Sequence, residues 1–427
     1  MSQQKKNSLT ESAIPDLDDE EESADLQGKK PRKIKPVQRE AVLKIVRYAG
    51  DGVSIAYDNE KVVFVRYAMA GETVRVNIYK EAKDYAMAEP LEIIDVSPDR
   101  KTPPCQYFAM CGGCDYQMLD YEAQLAVKKQ LVIETFRRIG KIELPDLTGV
   151  IRSPKPFGYR NTETFKVNPR AGKIGFFRKD TKSVIDVQAC LLAMDGINAA
   201  LADVKVQALF PEHNFKVRST LDNDTVVHWV PTEKYEDRPV YEKVQAAGRS
   251  IRFKISKDSF FQVNDYVVPL WLEKIISFLD PDGHERIFDL YCGIGLITLF
   301  VSYFARETIG VEISKSSVKD AKHNVEINGI DTNVQFIEAD VDGTLSRLGH
   351  ADVMIIDPPR KGMDRPVLDV LLQMAPAKII YSSCKPATMA RDIQLLGEKY
   401  ELSEIHLVDM FPQTHHVEML ALLKLKK

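Results

Sequence analysis

Six cysteines in 427 residues are too few to suggest a disulfide-stapled scaffold; in a cytosolic chain such a set reads as metal-binding or catalytic. No run of eighteen apolar residues occurs, so no membrane-spanning helix is expected, and the polar, acidic N-terminus is unlike a secretory signal. The expectation is a cytoplasmic protein with no membrane partner and no obligate protein partner. Strong charge of one sign is missing too: the formal net charge is −4. Residues 1–28 hold two lysines against eight acids, a balance of −6, which leaves +2 for the rest. That is compatible with a polyanionic partner without requiring one. With 44% hydrophobic and 28% charged residues, the chain has material for two or three globular domains.

Residues 1–35 read as a solvated tail, acidic at first and then basic through Lys29, Lys30, Arg32, Lys33 and Lys35. From Val42 to Val96 the pattern turns to short β-type runs such as 62–65, 73–76 and 91–94, separated by Gly50, Gly52, Asn59 and Gly71. This spacing predicts a small OB-like β-barrel. A Pro- and Cys-punctuated linker follows, then helical spacing over Tyr121–Ile139. Residues 151–255 read mainly as strands, Thr225–Val230 among them. Beyond Phe260 strand and helix alternate, with candidate strands Arg286–Tyr291, Thr308–Glu312, Val334–Glu338, Asp352–Asp357 and Ile379–Ser383. Alternation of this kind implies a parallel sheet with crossover helices, an α/β domain of Rossmann-like type.

The first of these strands runs into Tyr291-Cys292-Gly293-Ile294-Gly295. Two glycines two apart let the backbone turn sharply and approach a ligand; where a dinucleotide fold places its third glycine stands Thr298. Glu312 ends the next strand, nineteen residues beyond Gly293, where a carboxylate can accept bonds from ribose hydroxyls. Asp340 follows the third strand, placed to meet an adenine edge, and Asp357-Pro358-Pro359 the fourth. Each acid alone could be a helix cap or turn former. As a set at the carboxyl ends of parallel strands they point to a bound ligand.

Cys384 lies just past the fifth strand, on the same rim. Lone cysteines more often pack as small hydrophobes, but this one sits in a polar turn between Ser383 and Lys385, and the lysine is expected to favour a thiolate. Thirty-four residues on, Phe411-Pro412-Gln413-Thr414-His415-His416-Val417-Glu418 brings a glutamate to the head of the apolar strand Met419–Leu423. A half-buried carboxylate there is a candidate base. Cys105, Cys111 and Cys114 form a C-x5-C-x2-C run, with Cys190 after 75 intervening residues; four thiolates suit zinc or an iron–sulfur cluster.

Five motifs together resemble the RNA uracil 5-methyltransferase family, in particular its iron–sulfur branch that modifies 23S ribosomal RNA: Ser259-Phe-Phe-Gln262-Val-Asn264, Asp289-Leu-Tyr-Cys-Gly-Ile-Gly295, Asp357-Pro-Pro-Arg360, Ser383-Cys384-Lys-Pro386, and Phe411-Pro-Gln-Thr414 with His416-Val-Glu418. The match spans Pro36 to the C-terminus. One departure is Leu296, where members often carry asparagine. The resemblance leaves the tail at 1–35 unexplained; beyond it, an RNA-binding TRAM barrel is implied at 36–97, and the expected layout continues with a mixed α+β central domain at 98–258 and a class I methyltransferase domain at 259–427. It implies S-adenosylmethionine held by Gln262, Tyr291, Glu312, Asp340 and Asp357. Cys384 would be the nucleophile toward uracil carbon 6 and Glu418 the base that removes the carbon 5 proton. It further implies a 4Fe–4S cluster on Cys105, Cys111, Cys114 and Cys190. A radical enzyme that cleaves the cofactor at its cluster would hold it with three cysteines rather than four. The partner implied is 23S ribosomal RNA; transfer RNA and a non-catalytic RNA-binding role are the other readings. Arg160 reads equally as an RNA contact and as a structural ion pair.

Overall fold

The structure is a computed structural model that describes residues 35–144, 146–206, 214–229, 237–330 and 333–427. The expected tail, with its basic patch up to the side chain of Lys35, and Val230 lie outside the described residues. The chain divides into two compact units, residues up to 131 with 413–416, and residues 132–412 with 417–427.

In the first unit, β1 (Lys35–Tyr48), β2 (Val53–Asp58), β3 (Lys61–Arg66), β4 (Thr73–Glu81) and β5 (Tyr85–Asp95) close into a barrel ordered β1-β2-β3-β5-β4. Alternation builds its core: Val74, Val76 and Ile78 on β4 point inward with Leu43, Ile45, Val63 and Val65. Gly52 and Asn59, at φ of 68° and 56°, make the turns on either side of β2. Helix α1 (Tyr121–Thr135), whose last residues belong to the second unit, begins where the Asp120 carboxylate accepts the Ala123 N–H at 2.8 Å. It ends in a single π turn, Phe136–Gly140, closed by Lys141 in the left-handed region.

Among the described residues the second unit holds three sheets. Strands β7 (Thr162–Asn168), β8 (Lys173–Phe177), β9 (Val184–Asp186), β10 (Phe215–Ser219) and β11 (Thr225–His228) form one, ordered β11-β10-β7-β8-β9. Helix α2 (Asp195–Val206) accompanies it, and β12 (Val240–Ala246) pairs with β13 (Arg249–Ile255) as a hairpin. The third sheet has eight strands. After α3 (Val268–Leu279) come β14 (Arg286–Leu290), α4 (Leu296–Ser302), β15 (Glu307–Glu312), α5 (Lys315–Asn328), β16 (Val334–Glu338), the short α6 (Val341–Thr344), β17 (Val353–Ile356), α7 (Arg365–Met374), β18 (Lys378–Ser383), α8 (Pro386–Leu396), β19 (Tyr400–Val408) and β20 (Glu418–Leu425). Their order is β16-β15-β14-β17-β18-β20-β19, with β6 (Gly149–Ile151) added at the edge.

The five expected strands of this domain are present, each within a residue of its predicted end. They are legible because parallel strands covered on both faces read as unbroken apolar runs: Val353, Met354, Ile355 and Ile356 are all buried, each side chain stabilising the fold by about 1.5–3 kcal/mol. Strands β14 to β18 run parallel, and β20 enters antiparallel between β18 and β19. From β14 the chain winds outward through β15 and β16, then returns to the other side for β17 and β18. That reversal opens a crevice at the carboxyl ends of β14 and β17, where such sheets bind ligands. Among the described residues no helix is long and apolar enough to cross a membrane.

Candidate active site

The glycine turn after β14 is built against the end of β15. Tyr291 and Gly293 take φ of 63° and 55°, and Gly295, at 84°, caps α4. A positive φ at tyrosine is strained and persists only where surroundings impose it. Here the Tyr291 and Cys292 N–H groups both donate to the Val311 carbonyl, at 2.9 and 3.2 Å. The Gly293 N–H donates to Glu312 Oε2 at 3.0 Å and the Ser314 N–H to Oε1 at 2.7 Å. Two backbone bonds leave this carboxylate further acceptor sites, and it remains partly exposed. A Cβ placed on Gly293 would meet nothing within 4 Å, so open space lies above the turn. Ile313, beside Glu312, is 68% exposed and offers an apolar face that no sequence motif announces.

Asp340 is exposed, and its Oδ1 accepts the Asp342 N–H at 3.2 Å, capping α6. The capping role weighed against ligand binding is therefore present, with one oxygen left over. Gln262 is buried, its carbonyl accepting from Asn161 Nδ2 at 2.8 Å. The loop it sits on is anchored at Ser259, whose hydroxyl donates to the buried Asp320 of α5 at 2.7 Å and whose carbonyl accepts from Arg218. Phe260, between these anchors, is 65% exposed.

Cys384 and Glu418 are brought together by the sheet. The antiparallel register of β18 on β20 pairs Ser382 with Leu420 and Ser383 with Met419, and ends one residue short of Cys384 on one side and Glu418 on the other. Glu418 is buried, and burial together with the charge of Asp357 holds its carboxyl well above the usual range. Ser382 Oγ opposes this by donating to Oε1 at 2.8 Å. Asp357 is pushed up to about 7 by desolvation. Burial, then Glu418 and Asp357, push the Cys384 thiol up to about 12. The expected thiolate beside Lys385 is thus corrected: the free site favours the thiol, because burial and two carboxylates outweigh the nearby cation. Arg360 of the Asp357–Arg360 loop acts against this rise. The loop is fastened to α8, with Thr388 Oγ1 donating to the Arg360 carbonyl at 3.2 Å and the Met363 N–H to the buried Asp392 at 3.0 Å.

Asp289 is a further buried acid of the site. It is wholly enclosed, accepts from Thr298 Oγ1 at 2.5 Å, and is pushed up to about 7 by burial against that bond, with Asp357 adding to the rise. In the sequence it shows as a charge inside the apolar run Ile287–Leu290 and as the head of the Asp289–Gly295 motif. Arg160 pairs with Glu163 at 3.2 Å, the structural ion pair.

The four cysteines expected to hold a cluster carry thiols that are not joined in disulfides. Cys111 Sγ accepts the Gly113 N–H at 3.4 Å. Burial, with Glu163 next, pushes the Cys190 thiol up to about 12. Among the described residues no group of three or more His, Cys, Asp or Glu side chains is placed to hold a metal ion.

A parallel sheet with this strand order, a glycine turn over open space and acids along the carboxyl rim together define a class I methyltransferase fold. Comparison with known proteins gives the family. Residues 232–426 match the family model described as tRNA (Uracil-5-)-methyltransferase. An RNA methyltransferase of Aquifex aeolicus is 36% identical over 89% of this chain and 96% of its own length. One of Thermosynechococcus vestitus is 34% identical over 88% and 95%. A solved structure, the Pyrococcus abyssi tRNA (uracil-54, C5)-methyltransferase in complex with S-adenosyl-L-homocysteine, has a similar fold, with a TM-score of 0.70 at 24% identity, covering 89% of this chain and 99% of that one. The chain belongs to the RNA uracil-5-methyltransferase family and is an enzyme of that class.

Proposed function

We propose that this protein methylates carbon 5 of a uridine in 23S ribosomal RNA through a covalent adduct between Cys384 and carbon 6. The observation that carries the mechanism is that Cys384 and Glu418 adjoin the same end of the β18–β20 pairing, close enough for the Glu418 charge to act on the Cys384 thiol. The open space over Gly293, the free acceptor capacity of Glu312 and the exposed Ile313 suit an adenosyl ligand. Gln262, Tyr291, Glu312, Asp340 and Asp357 would hold S-adenosylmethionine, which when bound supplies an electrophilic methyl group.

The chain's residues account for the rest. Carbon 5 of uracil is a weak nucleophile until sulfur adds to carbon 6 and turns the ring into an enolate. The free site stores Cys384 as the thiol, so attack is coupled to loss of its proton. Asp357, poised near neutrality, is a base of suitable strength to receive it. After carbon 5 is methylated, the Glu418 carboxylate takes the carbon 5 proton, the carbon 5–carbon 6 double bond re-forms and the carbon 6–sulfur bond breaks. The target uridine must leave its stack for the thiolate to reach the ring face.

The barrel at 36–97 we assign as an RNA-binding TRAM domain, 98–258 as a central domain and 259–427 as the methyltransferase domain. The ribosomal substrate and the 4Fe–4S cluster rest on the resemblance to the iron–sulfur branch of the family alone, and no catalytic step is routed through a cluster. Transfer RNA is the second reading, favoured by the names of the family model and of the Pyrococcus enzyme.

The mechanism is tested with 5-fluorouridine-containing RNA, in which carbon 5 carries no removable proton. The wild type is expected to form an adduct stable to denaturation, and Cys384→Ala none; an adduct with Cys384→Ala would overturn the assignment. Mass spectrometry of RNA from cells lacking the gene decides the substrate. Loss of 5-methyluridine from 23S ribosomal RNA supports the first reading, and loss from transfer RNA the second. Iron and sulfide analysis of anaerobically purified protein tests the cluster.

A further inference from the structure

We propose that Asp320 and Asn324 of α5 are positioning residues for the cofactor pocket, holding the loop 259–264 and the glycine turn against one helix. This rests on the assignment of Gln262, Tyr291 and Glu312 to S-adenosylmethionine. Every residue involved lies in the second unit. In α5 Asp320, Asn324 and Asn328 follow at intervals of four, so they share one face of the helix. That face meets β13, which pairs with β12 alone among the described residues. The outer edge of such a hairpin carries backbone groups with no strand to bond them. The three side chains take the place of that strand. Asn328 Oδ1 accepts the Arg252 N–H at 2.9 Å, and its Nδ2 donates to the Arg252 carbonyl at 2.7 Å. Asn324 Oδ1 accepts the Lys254 N–H at 2.7 Å. Asp320 Oδ2 accepts the Ser256 N–H at 2.9 Å, just past the end of the strand.

Two of the three reach beyond the hairpin into the pocket. Asp320 also accepts the Ser256 hydroxyl at 2.9 Å and the Ser259 hydroxyl at 2.7 Å, which fixes the entry to the loop that carries Gln262. Asn324 Nδ2 donates at 3.2 Å to the carbonyl of Ile294, the residue between the two glycines of the turn. Helix α5 itself starts at its cap Ser314, whose N–H donates to Glu312. The loop, the glycine turn and the Glu312 carboxylate are thus all tied to one rigid element. Asp320 and Asn324 are buried, so their bonds are sheltered from competing water and an unmade one is costly. Asn328, one turn further from the pocket, bonds Arg252 and the Asn324 carbonyl; it supports the hairpin rather than the pocket.

That difference separates positioning from stability. With the full-length enzyme, calorimetry gives the affinity for S-adenosylhomocysteine, and methyl transfer to total RNA from cells lacking the gene gives KM for S-adenosylmethionine. Asn324→Ala is expected to weaken both by roughly three- to tenfold, as for a neutral hydrogen bond, and Asp320→Ala by roughly ten- to a hundredfold, as for bonds to a charged group. Turnover at saturating cofactor and KM for RNA should stay within about twofold of the wild type, the pattern of lost ground-state binding. Asp320→Asn, whose side-chain oxygen can still accept the Ser256 N–H, should recover part of the affinity. Asn328→Ala should lower stability in urea without moving either cofactor constant. Ser259→Ala, which removes only the loop's own bond, shifts affinity in the direction of Asp320→Ala and serves if that variant fails to fold. A shift in Asn328→Ala as large as in Asn324→Ala, or wild-type affinity in both Asp320→Ala and Asn324→Ala, overturns the positioning role. Wild-type affinity in both Gln262→Ala and Glu312→Ala overturns instead the cofactor assignment on which it rests.

Discussion

Ser382 Oγ lies 2.8 Å from Glu418 Oε1, a hydrogen bond between neighbouring antiparallel strands in a fully buried setting. Because a hydroxyl donates to the carboxylate more strongly than to the acid, it favours ionised Glu418 against burial and the charge of Asp357. Ser382→Ala removes it. The acid limb of the pH–rate profile should then move to higher pH, since a larger fraction of Glu418 is protonated at a given pH. Turnover near pH 7 should fall about ten- to a hundredfold, from the 1.5–3 kcal/mol such a bond to a charged group is worth. A profile that drops uniformly without moving its limb would remove Ser382 from this role.

Arg360 is the cation that favours the Cys384 thiolate against two carboxylates. Arg360→Gln is expected to raise the thiol further, slowing alkylation by iodoacetamide at pH 8 and adduct formation on 5-fluorouridine RNA, each by several-fold. Asp392→Asn is expected to act in the same direction and more weakly, since Asp392 accepts the Met363 N–H and holds the loop that carries Arg360. Alkylation at the wild-type rate in Arg360→Gln would show that the guanidinium does not govern the thiol.

The five central strands are legible in the sequence because burial on both faces leaves apolar runs, and Glu418 is legible as a charge at the head of one. What escapes is set by non-local contact. Lys385 adjoins Cys384 in sequence, yet a cation that acts on the thiol, Arg360, comes from a loop 24 residues earlier. Asp115 and His415 are 300 residues apart, and no local pattern announces their pairing. Asp289 is visible as an acid in a strand, but its enclosure becomes evident only once β15 and β17 flank β14.

Gly310 on β15 tests how tightly the wall behind the glycine turn is packed. A Cβ there would lie 2.7 Å from the Phe336 ring and 2.8 Å from Cys292 Sγ. Gly310→Ala should destabilise the protein by about 1–3 kcal/mol through overpacking, measured by urea unfolding. The double variant Gly310→Ala with Phe336→Leu should recover part of the loss. If Gly310→Ala matched wild-type stability, the ring would have to move freely, contrary to the packing described.

Asp289 gives a stability prediction with a definite sign. Its carboxyl stands at about 7 in the folded protein against an ordinary value of 3.8, so between those values the folded state binds the extra proton. Stability contributed by this residue is therefore full below about pH 4 and is lost as pH rises through about 7. Each tenfold change in proton affinity corresponds to about 1.4 kcal/mol, which puts the upper bound near about 4 kcal/mol. Asp289→Asn cannot ionise, and its side-chain oxygen can still accept from Thr298. The variant should match the wild type in urea unfolding at pH 4, gain on it steadily through pH 5 and 6, and hold a constant advantage above pH 7.5. A gap that did not change with pH would mean that Asp289 does not titrate in this window, and that burial is offset by more than the Thr298 bond.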